Sequence, residues 1–180
     1  MNRLQLVAEC FRDAAFIYLQ SILERLDSHY TPNITDITAD PNPNSQTDGE
    51  NHPPGLSPYL TEWAPLISTP KPIAVRRCLS RVESFPLDDH CEYSALTFPL
   101  FIAGCESDTL EQRDLVLRSL GKLQNNFGIG NVRRAKEVLG ILWARKDATS
   151  QNQTGDMEAS VRPVHWLDIL EELQWELILA

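Results

Sequence analysis

The stretch DTLEQRDLVLRSLGKLQNNFGIGNVRRAKEVLGILW (108–143) decides the fold class. Val116, Leu120, Leu123 and Phe127 recur at steps of three or four, the spacing of one helix face. Asp108 and Glu111 have the spacing of a capping pair that opens this helix. Gly128 supplies the left-handed stop that glycine gives at a helix C-terminus. Asn131 then caps a second helix, with Val132, Ala135, Val138, Leu139, Leu142 and Trp143 inward and Arg133, Arg134 and Lys136 outward. Nothing in the stretch follows the two-residue alternation of a strand.

Moving toward the N-terminus, residues 88–103 read as a helix. Its second half (Ala95, Leu96, Phe98, Leu100, Phe101, Ile102) is apolar nearly all round, as in a helix buried on every side. Pro99 removes a backbone donor inside it and predicts a kink. Residues 72–83 form another helix, with Pro72 at the first helical position and Val75, Cys78, Leu79 and Val82 on one face. Before it lies TPNITDITADPNPNSQTDGENHPPGLSP (31–58), poor in aliphatics and rich in Pro, Asn, Asp and Ser. Such a composition cannot bury enough apolar surface to offset the entropy of ordering, so residues 31–71 read as a mobile Pro-rich loop.

Residues 4–29 read as one long amphipathic helix. Val7, Phe11, Ala14, Tyr18, Ile22 and Leu26 form the stripe, Leu19 and Leu23 widen it, and Arg12, Asp13, Glu24 and Arg25 lie off it. Thr31-Pro32 ends it. On the other side of the deciding stretch, 148–161 is a polar linker. A last helix over 163–179 carries Trp166, Ile169, Leu170, Leu173, Leu177 and Ile178. The expected class is all-α, an array of about six helices with a long Pro-rich loop after the first. The expected organisation is an N-terminal helix (1–30), a loop (31–71), a helical core (72–147), a linker (148–161) and a C-terminal helix packed on the core (162–180). The second helix onward is expected to form the packing unit, with the first helix the remainder of a larger array.

The chain of 180 residues has 25 acidic against 16 basic side chains and a net charge of −9. Non-specific grip on nucleic acid rests on neutralising phosphates, so this balance argues against an autonomous DNA binder. The acidity concentrates in residues 31–72 and 151–180, while 73–150 is near neutral. The N-terminus carries charges too early for a signal peptide. The longest uncharged apolar run, Tyr93–Cys105, falls short of the roughly 20 residues that span a bilayer.

Several clusters invite a chemical reading. Gly128-Ile129-Gly130-Asn131-Val132-Arg133-Arg134 resembles an anion cradle at a helix N-terminus. It lacks the preceding strand and third glycine of a dinucleotide fingerprint and the Gly-Lys-Ser/Thr of a phosphate loop, which favours a plain helix–loop–helix turn. His90 and Cys91 beside Asp88 and Asp89 suggest a metal, yet adjacent helical residues point about 100° apart. Cys10, Cys78, Cys91 and Cys105 form no C-x-x-C pair, so no zinc knuckle or redox motif can be written. None of His29, His52, His90 and His165 carries a local signature beside a cysteine. The cluster Arg76, Arg77 and Arg81, like Arg133, Arg134 and Lys136, is expected to solvate helix faces or pair with carboxylates. Trp63, Trp143, Trp166 and Trp175 read as core packing rather than a ligand box. The end EELQWELILA, for all its acidic-hydrophobic character, reads as a packed helix rather than an activation segment. No catalytic, cofactor-binding or metal residue is assigned.

Four strings carry a family resemblance: AECFRDAAFIYLQSIL (8–23), FPLFIAGCES (98–107), FGIGNVRRAKEVLGILW (127–143) and WLDILEELQWELILA (166–180). They resemble the C-terminal stretch of the fungal-specific transcription factor domain, which follows a zinc binuclear cluster in many fungal regulators. FPLFIAGCE and the Phe-Gly-x-Gly-Asn-Val turn are the most specific elements. The resemblance implies a nuclear, all-helical, non-enzymatic regulatory region that modulates activation, effector response or dimer contacts. It implies protein partners or self-association, a possible small-molecule effector, no cofactor, no membrane and no direct DNA binding. The six-cysteine zinc reader is absent from these residues, so no zinc ligand transfers to any position. The chain is then expected to be the tail of a longer regulator or a truncated relative. The alternative is a helical small-molecule or anion-binding metabolic protein using the Gly128–Arg134 turn.

Overall fold

A computed structural model describes residues 2–30, 69–152 and 164–175. The Pro-rich loop up to residue 68, Trp63, His52, most of the polar linker and the last five residues lie outside the described residues. Among the described residues there are six α-helices and no strand: α1 Arg3–Tyr30, α2 Lys71–Glu83, α3 Thr97–Cys105, α4 Leu110–Phe127, α5 Asn131–Asn152 and α6 Trp166–Leu173. A 3-10 segment, Cys91–Leu96, leads into α3. The class is all-α, as the periodicities required.

The core is organised around α3. Thr97 and every residue from Pro99 to Cys105 are buried, because α1, α2, α4 and α5 all pack against this one short helix. Its apolar second half was legible for that reason. The expected single kinked helix over 88–103 is not what forms. Pro99 is the third residue of α3, inside the first turn, where its missing N–H is one of the four that no helix satisfies internally. The residues ahead of it wind as a 3-10 segment, so no kink is needed.

Leu87 precedes that segment with φ 50° while remaining buried. A left-handed leucine costs about 1–2 kcal/mol. The side-chain amide of Asn126, near the end of α4, donates to the carbonyls of Leu87 (2.9 Å) and Asp88 (3.1 Å) and holds the turn.

The α1 stripe is shifted from its expected position. The inward row is Leu6, Cys10, Ala14, Ile17 and Ser21, whereas Phe11, Leu19 and Leu26 remain 38%, 44% and 44% exposed. The displacement is about one residue, roughly 100° around the helix. The row of small residues lets α2 approach closely, and Phe11 instead stacks on Phe98 at the edge, 5.8 Å between ring centres. Asp13, expected outside the stripe, is fully buried. α1 supplies Leu6, Cys10, Ala14 and Ile17 to the core and packs most extensively on α2 and α3, so the packing unit among the described residues includes the first helix.

Two helix starts and one stop also move. The cap of α4 is Thr109, whose Oγ1 accepts the Gln112 N–H at 3.2 Å, with Gln112 Oε1 accepting the Asp108 N–H at 3.3 Å. The capping pair therefore sits one residue after Asp108 and Glu111. At the other end Gly128 adopts φ 63° and donates to Gln124 O at 2.9 Å, as expected. The next helix, α5, begins at Asn131 itself and runs to Asn152, into the stretch read as linker. All six residues expected inward on α5 are buried.

The last helix ends at Leu173, well before Leu179. Gln174 turns left-handed (φ 52°), its N–H bonds Glu171 O and the Trp175 N–H bonds Leu170 O, the paired closure of a Schellman motif. Arg134 of α5 lies 5.6 Å over the Trp175 ring and fixes the side chain just beyond this stop.

Candidate functional site

The C-terminal end of α3 gathers polar groups from four other elements. Helix carbonyls at this end lack internal partners and carry the negative end of the dipole, so they attract donors and cations. The indole Nε1 of Trp143 donates to Gly104 O at 2.9 Å, and Lys146 Nζ donates to Cys105 O at 2.8 Å, both from α5. Arg113 of α4 donates from Nε to Ser107 O at 3.2 Å. The same guanidinium holds Asp147 through two bonds of 2.8 and 2.9 Å and lies 5.4 Å over the Trp143 ring. Those bonds keep the Asp147 carboxyl below its ordinary range.

Glu106 continues the junction toward the other face. Its Oε1 accepts the Ser21 hydroxyl of α1 at 2.5 Å, and its Oε2 pairs with Lys71 at the start of α2 at 3.0 Å. Lys71 also pairs with Glu24. Burial works against the Lys71 charge, but Glu106 and Glu24 outweigh it and hold the ammonium above its ordinary pKa. Four consecutive residues, Gly104 to Ser107, thus tie α3 to α1, α2, α4 and α5. Gly104 is required by close approach: a Cβ there would stand 3.0 Å from Val116 and 3.1 Å from Leu139.

A second polar group is buried between α1 and α2. Asp13 accepts from both Arg77 and Arg81, and Arg81 reaches Glu9 at 3.2 Å. The expected carboxylate pairing of this arginine cluster is therefore real, with partners across the helix interface. Arg76 stays exposed, at a mixed-charge groove of about 580 Å³ between α2 and α4 that also includes Glu83, Asp114 and Arg118.

The other sequence candidates do not assemble. His90 and Asp88 are 3.7 Å apart, Cys91 is exposed and bonds Glu92 at 3.6 Å, and among the described residues no three potential ligands could hold a metal. Cys10, Cys78 and Cys105 are buried free thiols. The hydrogen bond with Cys10, then burial, pushes Cys78 up; burial pushes Cys105 up. Thiols held protonated in this way are poor nucleophiles. The Gly128–Arg134 turn borders a shallow groove of about 460 Å³ lined by Gln124, Gly130, Asn131, Arg133 and Arg134, and Arg134 also lies over the Trp175 ring. Of the tryptophans, Trp143 and Trp166 are buried and Trp175 is partly buried.

What the junction can do follows from its chemistry. It contains hydrogen-bonded carbonyls and paired charges, with no activated nucleophile beside a base. Its groups set the relative positions of five elements, so a displacement of one is felt by the rest. The sequence signal that could have found it is the GCES string together with a tryptophan at 143, both inside the strings that carried the family resemblance.

Those strings also coincide with a broader match. The profile described as fungal specific transcription factor domain matches residues 1–180. The chain belongs to that family. No curated protein and no solved structure matches it. Within the fungal transcription factor domain described here, FPLFIAGCES supplies α3 and the junction, and FGIGNVRRAKEVLGILW supplies the Gly128 stop and the Trp143 donor. No helix among the described residues is long and apolar enough to cross a membrane.

Proposed function

We propose that this chain is a non-enzymatic regulatory and interaction domain of a fungal transcription regulator. It acts in the nucleus through protein partners or self-association, is open to a small-molecule effector, and does not itself grip DNA. Family membership supports the regulatory role, and the net charge of −9 supports the absence of a phosphate-neutralising surface. The observation that carries the reading is the Gly104–Ser107 junction. An event at any one of the elements meeting there strains contacts at the others, which is the mechanical requirement for relaying a signal.

The test is a fusion of residues 1–180 to a heterologous DNA-binding domain, assayed on a reporter. The expected result is a change in reporter output that Trp143→Ala removes. Unchanged output together with failure to accumulate in the nucleus overturns the reading. The anion-binding alternative rests on the groove beside Arg133. It predicts heat on titrating inorganic phosphate, lost in Arg133→Ala; the engagement of Arg134 with Trp175 counts against it.

A further inference from the structure

The N-terminus of α6 rests on an imidazole. His165 precedes the helix, and its Nδ1 accepts the Leu167 N–H at 3.1 Å, the position usually held by a Ser, Thr, Asp or Asn oxygen. A ring nitrogen accepts only when it carries no proton, so the proton resides on Nε2. That Nε2 is buried and has no hydrogen-bond partner among the described residues. The ring stacks on Trp166 with centres 5.5 Å apart. Trp166 in turn meets Phe101 of α3 edge-on at 5.4 Å and Tyr18 of α1 at 6.2 Å. His165 therefore stands at the point where α6 is anchored to the core.

Charged groups on four elements act on the ring electrostatically. They are Arg25 on α1, Lys71 on α2, Glu106 at the end of α3 and Asp168 on α6 itself. Neither carboxylate is spare. Glu106 accepts from Ser21 and Lys71, and Asp168 accepts from Arg25 at 2.6 and 3.1 Å.

We propose that His165 is a proton-operated latch: protonation undocks α6 and uncovers the apolar surface that Trp166 occupies on Tyr18 and Phe101. The inference goes beyond the regulatory reading and holds whatever the domain controls. A proton on Nδ1 replaces the cap's acceptor with a donor aimed at the Leu167 N–H. It also places a positive charge at the positive end of the helix dipole, beside Arg25 and Lys71. Burial, and then Arg25, keep the His165 pKa below its ordinary value of 6.5, so the docked state is the neutral one. A depressed folded-state pKa means that docking is fully present above about pH 6.5 and is lost as pH falls through the window below it.

Amide hydrogen exchange on the full chain tests this, with rates corrected for their intrinsic pH dependence, from about pH 8 to about pH 5. In the wild type, opening of residues 167–173 should rise by up to about tenfold per pH unit below the ordinary histidine pKa, while residues 101–105 keep their protection. His165→Asn retains a cap acceptor without a titrating group and should give a flat profile. His165→Ala should be open at every pH. A flat wild-type profile overturns the proposal. So does a profile that His165→Asn leaves unchanged, or loss of α3 protection in step with α6.

Discussion

The indole Nε1 of Trp143 donates to the carbonyl oxygen of Gly104 at 2.9 Å across 39 residues of chain. The bond joins the middle of α5 to the buried C-terminal end of α3. It is buried, and the Arg113 guanidinium lies 5.4 Å over the indole ring. Removing the donor leaves the Gly104 carbonyl with the Ser107 N–H alone, at 3.2 Å, so Trp143→Phe should lose about 1 kcal/mol in chemical denaturation. Gly104→Ala should lose about 1–3 kcal/mol by overpacking against Val116 and Leu139. Melts within 0.5 kcal/mol of wild type for both would show that the junction does not hold the helices together.

Asp13 has no exposed surface and accepts from two arginines. Asp13→Ala should therefore cost about 1.5–3 kcal/mol, the loss of charge-assisted bonds to a fully buried carboxylate, while Arg81 keeps Glu9 and Arg77 stays a third exposed. If Asp13 faced solvent, as its place outside the Val7–Phe11 stripe suggested, the change would stay within about 0.5 kcal/mol. A double-mutant cycle with Arg81→Ala, followed by urea unfolding, separates the ion pair from the packing of the arginine stem.

Asn126 donates to two carbonyls of the Leu87 turn. Asn126→Ala should destabilise by about 1–2 kcal/mol, since the Leu87 and Asp88 carbonyls both lose this donor and a left-handed leucine loses its support. Circular dichroism should show helix content unchanged in the native state. A drop in native helicity would mean that Asn126 positions α3 as well as the turn.

Thiol labelling should divide the cysteines three to one. Cys91 is exposed, whereas Cys10, Cys78 and Cys105 are buried with the last two held protonated. Maleimide should modify one thiol per native chain quickly and the remainder only in denaturant. Fast reaction of Cys105 would contradict the packing of α3.

Periodicity was enough wherever a helix has one wide apolar face and a clear stop. Val132 to Trp143 turned inward as spaced, and Gly128 closed α4 with the left-handed geometry that glycine permits. It was not enough for α1, where a row of bulky residues (Val7, Phe11, Tyr18) adjoins a row of small ones (Cys10, Ala14, Ser21). A hydrophobicity pattern weights bulk, but the neighbour α2 needs closeness and takes the small row. That choice also carried Asp13 inside, which no count of charges off a stripe reveals. The Gly104–Ser107 junction was missed for a related reason. Its donors come from Trp143, Lys146, Arg113, Ser21 and Lys71, which only packing brings together.

The sequence by itself determined the class and the family: 3.6-residue periodicity and capping chemistry are local properties, written within a few turns of chain. The tertiary structure alone decided which face of α1 is inside, where Pro99 falls relative to a helix start, and which groups satisfy the end of α3. Those outcomes depend on competition among partners for a limited interface, and competition has no local spelling. His165 shows the difference most simply. As a residue it is one histidine among four; against Leu167, Trp166, Arg25 and Lys71 it becomes a neutral cap whose proton has nowhere favourable to go.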